Sequence, residues 1–137
     1  EQHSSCDKTC YREEMRASTF CLCPRGWSPW TLRAYQALMV GCIPVIIADE
    51  IEFPYENSFN WREVSIKIPA KRHLEAIDIL RSVPDAVIER KRKAMAKFWP
   101  NVAWKRPTVD ADAFHSVMKE LERKKRGFKA STFTFWN

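Results

Sequence analysis

Apolar positions change their period several times along this chain. Tyr11 and Met15, four apart in "CYREEMRAS", predict a short helix, and the β-forming stretch "TFCLC" behind it is stopped by Pro24. After the loop "PRGWSPW", Leu32, Tyr35, Leu38 and Met39 share one helical face, with Thr31 placed to cap the start and Gly41 to supply a left-handed stop. "CIPVIIA" then runs without alternation, the pattern of a strand covered on both faces in a parallel sheet. Strand, loop, helix and strand make a crossover unit, right-handed almost without exception. Its loop lies at the carboxyl end of the first strand, where open α/β sheets bind ligands.

The α/β order continues. "EIEFPYENSFNW" reads as a loop holding at most one helical turn, and "VSIKI" as a further strand ended by Pro69. Three helices close the chain. The first puts Leu74, Ile77 and Leu80 on one face; the second starts near Ser82 and Pro84 and carries Val87, Ile88 and Met95. The third places Phe114, Val117, Met118 and Leu121 at i, i+3, i+4 and i+7, with Asp110 as the expected cap. The tail "STFTFWN" alternates through Phe133 and Phe135 and reads as an exposed strand or as packing for a further domain. No internal repeat appears.

At 137 residues, 45% hydrophobic and 29% charged, the chain has the length and composition of one globular domain with its own core. Its longest near-apolar run, Ala37 to Ala48, is interrupted by Gly41 and Pro44 and is shorter than the roughly 20 residues that span a bilayer. The opening "EQHSSCDKTC" reads as interior sequence, so the chain is expected to be part of a longer protein. Charge is uneven: net −3 up to Trp61 and net +9 from Arg62 onward. The densest basic runs, "ERKRK" (Glu89 to Lys93) and "ERKKR" (Glu122 to Arg126), fall in helical patterns. There a solvated face is the plain reading and a polyanion site the sharper one.

Five cysteines, Cys6, Cys10, Cys21, Cys23 and Cys42, lack the paired spacing of a zinc site. Cys21 and Cys23 point to the same face of their strand and suit burial, while an oxidising compartment would allow a disulfide between Cys6 and Cys10. The odd count leaves a thiol free or paired outside the chain. His3, His73 and His115 are scattered and read as surface or packing residues.

Chemistry concentrates in the loop. A helix that begins after a glycine-containing turn offers unpaired N–H groups and a positive dipole end, which favours phosphates. Gly26 permits close approach, and Arg25 and Arg33 flank the helix start, two guanidinium groups suited to a diphosphate. Thr31 adds a hydroxyl. Trp27 and Trp30 read as packing residues or as stacking platforms for a base or sugar. Neither a dinucleotide glycine signature nor a Walker loop is present.

The stretch "FCLCPRGWSPWTLRAYQALMVGCIPVIIADEIEFPY" resembles the core motif of the exostosin-like glycosyltransferase family, in its plant-type form, over about Tyr11 to Trp99 and more loosely to Lys124. The resemblance implies a Rossmann-like parallel sheet flanked by helices, the C-terminal half of a GT-B type enzyme. Residues 1–137 would be one partial nucleotide-sugar-binding domain, with core motif 11–99 and a C-terminal helix and tail at 100–137. It also implies an inverting hexosyl- or pentosyltransferase that passes a sugar from a UDP-sugar to a growing cell-wall or matrix polysaccharide, on the lumenal side of the Golgi membrane. On that pattern Arg25, Gly26, Thr31 and Arg33 approach the diphosphate. Gln36 stands where the family usually has a ribose-binding Glu, and Asp49 and Glu50 face the sugar or merely end a strand. On that pattern no metal cofactor is expected. The catalytic base would come from the N-terminal domain, so the isolated chain is expected to bind donor without turning it over. The expected partners are the UDP-sugar, the polysaccharide acceptor, the N-terminal domain and other glycosyltransferases. A non-catalytic scaffold subunit is the alternative; a nucleic-acid module is disfavoured by the lack of a recognisable motif.

Overall fold

The unalternating run in the middle of the sequence forms the middle strand of a parallel sheet. The computed structural model describes residues 8–26, 31–51, 53, 55–56 and 58–125. Its strands β1 (Phe20–Pro24), β2 (Ile43–Ile47) and β3 (Ile66–Ile68) lie in the order β1-β2-β3, with Phe20 opposite Ile43 and Val45 opposite Ile66. Around them run helices α1 (Lys8–Ala17), α2 (Leu32–Val40), α3 (Trp61–Val64), α4 (Ala76–Arg81), α5 (Asp85–Phe98) and α6 (Ala113–Lys125). This is the expected α/β class with a small parallel sheet flanked by helices.

β2 is covered on both faces. Ile43 and Ile46 join Ala34 and Leu38 of α2, Trp61 and Val64 of α3, and Met95 and Phe98 of α5 in one cluster. Val45 meets Ile68 and Ala76 of α4 in another. Each such branched side chain, fully removed from water, contributes about 1.5–3 kcal/mol. Pro44 is compatible with a central strand because pairing with β3 starts only at Val45, so its missing N–H falls outside that ladder. β1, at the sheet edge, alternates instead: Cys21 and Cys23 are buried and Leu22 between them is exposed.

Helix ends follow local rules. Thr31 is extended and its Oγ1 accepts the Arg33 N–H, while Gly41 closes α2 at φ 81°, a left-handed conformation open to glycine at low cost. Lys91 of α5 donates from Nζ to the carbonyls of Arg62 (2.7 Å) and Ser65 (2.8 Å), tying α3 to α5 at the strand entrance. Trp61 stacks at 4.2 Å from Phe53 and meets Phe98 and Tyr35 edge-on at 5.2 and 5.8 Å, which anchors the segment after β2 to α2 and α5.

Several expectations change. The third strand is shorter than "VSIKI": Val64 ends α3, and Ser65 turns back to donate from Oγ to the Trp61 carbonyl. In α4 it is Ala76, Ile79 and Leu80 that meet the sheet, while Leu74 and Ile77 are exposed, because the preceding 3-10 turn (Ala70–Glu75) offsets the helical phase. In α6 the apolar stripe Phe114, Met118 and Leu121 is exposed, and the small Ala113 and Ser116 form the contact face. The cap is Asp112 rather than Asp110. Asp112 Oδ1 accepts the His115 N–H (3.1 Å) and meets His115 Nδ1 (3.0 Å), and its Oδ2 accepts the Val109 N–H, whereas Asp110 is exposed. Burial would raise the Asp112 pKa. The hydrogen bonds from the His115 ring and from the two N–H groups outweigh that and hold it below the ordinary carboxylate range.

The cysteines resolve into two classes. Cys21 is disulfide-bonded to Cys42, across a Cα separation of 5.8 Å, joining β1 to the turn that enters β2; Cys23 is free and buried. Cys21 is therefore a cross-link rather than a lone buried thiol. Cys10 is also disulfide-bonded, and Cys6, its expected partner, lies outside the described residues, as does the tail from Arg126 to Asn137.

Two outcomes follow. Closing a 21-residue separation restricts the unfolded chain by about 3 kcal/mol, so the Cys21→Ala/Cys42→Ala double variant should lose stability of that order in urea titrations; an unchanged midpoint would contradict the cross-link. Because its folded pKa is depressed, Asp112 contributes stability that is present above its unfolded value of about 3.9 and lost as pH falls through the folded value. Urea titrations below about pH 4 should therefore show a steeper loss for the native chain than for Asp112→Asn, and parallel curves would refute that role.

Candidate functional site

The carboxyl edge of the sheet is assembled from the ends of β1 and β2 and the start of α2. The Arg25 N–H donates to the Ile47 carbonyl at 3.2 Å, carrying the β1–β2 ladder one residue past Pro24 and placing Arg25 and Gly26 beside Ala48 and Asp49. Residues 27–30, with the two tryptophans read as packing or stacking groups, lie outside the described residues. The chain resumes at Thr31, and its side-chain cap orders the first turn of α2. Helix start and strand ends thus share one edge.

Arg25 and Arg33 are exposed, and among the described residues neither is in an ion pair. Arg33 lies beside β1 in a shallow groove of about 270 Å3 with Phe20, Leu22 and residues of α1. Its charge reaches Cys23: burial pushes that thiol up to about 11, with the Arg33 guanidinium and a Val45 backbone hydrogen bond opposing the rise. At neutral pH Cys23 is a protonated core thiol and no nucleophile.

The other predicted residues divide. Glu50 is exposed at the same edge. Asp49 is there too, but its Oδ1 accepts the Ala70 N–H at 3.0 Å, which fixes the turn leaving β3 onto the end of β2. Gln36 is one turn further along α2, half-buried, in a hollow of about 250 Å3 formed with Tyr11, Arg12, Met15, Met39 and Val40. The carboxyl edge therefore carries Arg25, Gly26, Thr31, Asp49 and Glu50, while Arg33, in the groove with α1 and the start of β1, and Gln36 both lie toward α1.

Chemically this edge can hold an anion. The positive end of α2 carries a hydroxyl at Thr31 and Arg33 in its first turn, Arg25 ends the β1 ladder, and among the described residues neither arginine is in an ion pair. Among the described residues no group of three or more His, Cys, Asp or Glu side chains is arranged to hold a metal ion, and no helix is long and apolar enough to cross a membrane. His73 Nδ1 lies 2.9 Å from the Ala70 carbonyl and His115 serves the α6 cap, so both have local structural partners.

One region escaped the sequence reading. A groove of about 910 Å3 runs between α3 and α5, and Arg90, Lys93 and Lys97 line it. Its signal was their i, i+3, i+7 spacing, within and just beyond the run "ERKRK", where a solvated face is the simpler reading.

The chain also matches known sequences. The model of the Exostosin GT47 domain matches residues 1–83. A probable beta-1,4-xylosyltransferase IRX10 of Arabidopsis thaliana is 41% identical over 122 residues, covering 85% of this chain and 29% of that protein. A probable glucuronosyltransferase GUT1 of Oryza sativa subsp. japonica is 39% identical over 116 residues, covering 83% and 28%. A probable beta-1,4-xylosyltransferase IRX10L of Arabidopsis thaliana is 39% identical over 118 residues, covering 85% and 28%. The chain spans less than a third of the length of these relatives.

The Asp49 contact separates support from ligand binding. Asp49→Ala, which leaves the Ala70 N–H without its acceptor, is expected to cost about 1 kcal/mol in chemical unfolding, whereas Asp49→Asn keeps an acceptor oxygen and most of the stability. Equal behaviour of the two variants would remove the capping role.

Proposed function

The chain belongs to the exostosin GT47 family, and from that premise we propose that it is the donor-binding part of a glycosyltransferase. In this reading it holds a UDP-sugar for transfer, with inversion, to a growing cell-wall or matrix polysaccharide. The observation that carries it is the capped start of α2, with Arg33 in its first turn, following Arg25 and Gly26 at the carboxyl edge of a parallel sheet. The relatives' names, xylosyltransferase and glucuronosyltransferase, support sugar transfer and leave the sugar open between a pentose and a hexuronate.

The roles follow from charge. Bond cleavage at the anomeric carbon leaves negative charge on the UDP phosphates, and Arg25, Arg33 and the α2 N–H groups are placed to stabilise it without a metal ion. Thr31 Oγ1 accepts the Arg33 N–H and retains its own O–H for a phosphate oxygen. The acceptor hydroxyl attacks the opposite face of that carbon while a carboxylate removes its proton. In this reading the carboxylate comes from the N-terminal half of a two-domain GT-B protein, so this segment alone binds donor and is inactive. In this reading Glu50 faces the sugar, while Gln36 lines the hollow between α1 and α2. A Golgi lumenal setting accords with the Cys21–Cys42 disulfide, which needs an oxidising compartment.

UDP binding tests the reading directly. At a concentration 100 times Kd, a ligand confined to the folded state stabilises it by about 2.7 kcal/mol, so UDP should raise the melting temperature of the native chain and fail to do so for Arg25→Ala and Arg33→Ala. A folded chain that UDP leaves unmoved would instead make this domain a non-catalytic scaffold.

A further inference from the structure

The groove between α3 and α5 has a composition that the donor site does not use. Its floor is apolar: Val64, Ala94 and the Phe59–Phe98 pair, packed edge to face with centroids 5.1 Å apart. Three cations stand over that floor, Arg90, Lys93 and Lys97, and none of them meets a carboxylate in an ion pair among the described residues. At 100° and 1.5 Å per residue they fall within a stripe about 60° wide and rise about 10 Å along α5. Hydrogen-bond acceptors share the lining. Glu63 and Glu89 are carboxylates, and Asn101 uses its Nδ2 on the Lys97 and Phe98 carbonyls, leaving Oδ1 open. Glu63 also accepts from Asn60 Nδ2 at 3.2 Å, so it is held in place.

This mixture selects among anions. A nucleic acid places a negative charge on every unit and would meet Glu63 and Glu89 unfavourably; its bases would also find no open ring face, since Phe98 is 7% exposed and packed on Phe59 and Trp61. A glycan that bears carboxylates among many hydroxyls fits both halves of the lining: carboxylates on the three cations, hydroxyl donors on Glu63, Glu89 and Asn101. The segment that follows β2 in the chain contributes to the groove. Ser58 to Asn60 belong to the segment that leaves β2 at the donor edge, and Asn101 sits in a 3-10 turn (Trp99–Val102) packed against α2.

We propose that this groove is a subsite for a carboxylate-bearing stretch of the polysaccharide acceptor. The proposal rests on the glycosyl-transfer reading only in calling that glycan the acceptor. Arg90, Lys93 and Lys97 act as binding residues for that glycan; they touch no reacting atom.

The experiment is calorimetric titration of the 137-residue chain at low ionic strength with a linear hexamer of galacturonic acid, and separately with neutral xylohexaose and a thymidylate hexamer. The expected result is saturable binding of the acidic hexasaccharide, at least about tenfold tighter than either comparison ligand. Lys93→Ser/Lys97→Ser should weaken it about tenfold or more, while Lys105→Ser/Lys119→Ser, with the same charge lost at exposed positions outside the groove, should leave it unchanged. All three proteins should melt alike, since these side chains are exposed. No binding of the acidic hexasaccharide, equal binding of xylohexaose or the thymidylate hexamer, or equal weakening in the two double variants would each overturn the proposal. A parallel UDP titration keeps the readings apart. Silence toward UDP with the hexasaccharide bound removes the donor site alone, and the reverse removes the groove alone.

Discussion

Everything in this chain is organised by the burial of β2 on both faces. A strand with Ile43, Val45 and Ile46 fully inside must have pairing partners on each side and helices above and below. The neighbours supply this by crossover: α2 returns the chain from β1 to β2 on one face, and α4 reaches the other after β3. Parallel pairing puts the three strand ends on one edge. Arg25 and Asp49 follow two of those strand ends and Thr31 starts the helix between them, so the candidate donor site is a consequence of the strand's burial rather than a separate construction.

The supports of that edge are local and inexpensive. The Arg25 N–H extends the ladder, Thr31 orders the helix start, and the Asp49 carboxylate holds the turn after β3. On the opposite side the Cys21–Cys42 disulfide ties the edge strand to the central one where the chain enters β2. β1 needs it most, because it is covered on one face only and lies at the sheet margin. A ligand edge built from chain ends keeps its polar groups available, since the energy of the fold comes from elsewhere.

Much of this was legible in the sequence. The lack of alternation in "CIPVIIA" identified a doubly covered strand, and Thr31 and Gly41 bracketed α2 correctly, because both signals depend on neighbouring residues alone. The errors came where tertiary packing chooses between options of equal local merit. Periodicity grouped Phe114, Met118 and Leu121, but the helix seats itself through Ala113 and Ser116, which allow closer approach. Asp110 was the expected cap; with Ala111 left-handed at φ 63°, it is Asp112 that reaches the His115 N–H. Of the site, the strand end, the capped helix start and the second strand end that carry Arg25, Thr31 and Asp49 were readable from their order in the sequence. The position of Gln36 was not, since it depends on where α1 packs.

α5 shows why the basic second half resists a single reading. Its period assigns three tasks to one helix. Met95 and Phe98 enter the core, Lys91 spans to the α3 carbonyls, and Arg90, Lys93 and Lys97 line the groove. Lys91 is half-buried, and burial first, then the charge of Arg90, lowers its pKa, with Glu63 opposing. Its ammonium is therefore committed to structure, while the neighbouring cations remain in water, where an exposed charge without a partner costs little and contributes little to stability. A helix that needed charge only for solubility would be free to scatter acids and bases around that outer face. Here three bases, with Glu63 and Glu89 among the lining, stand in a row over an apolar, partly aromatic floor, an arrangement that folding does not require and that binding would use.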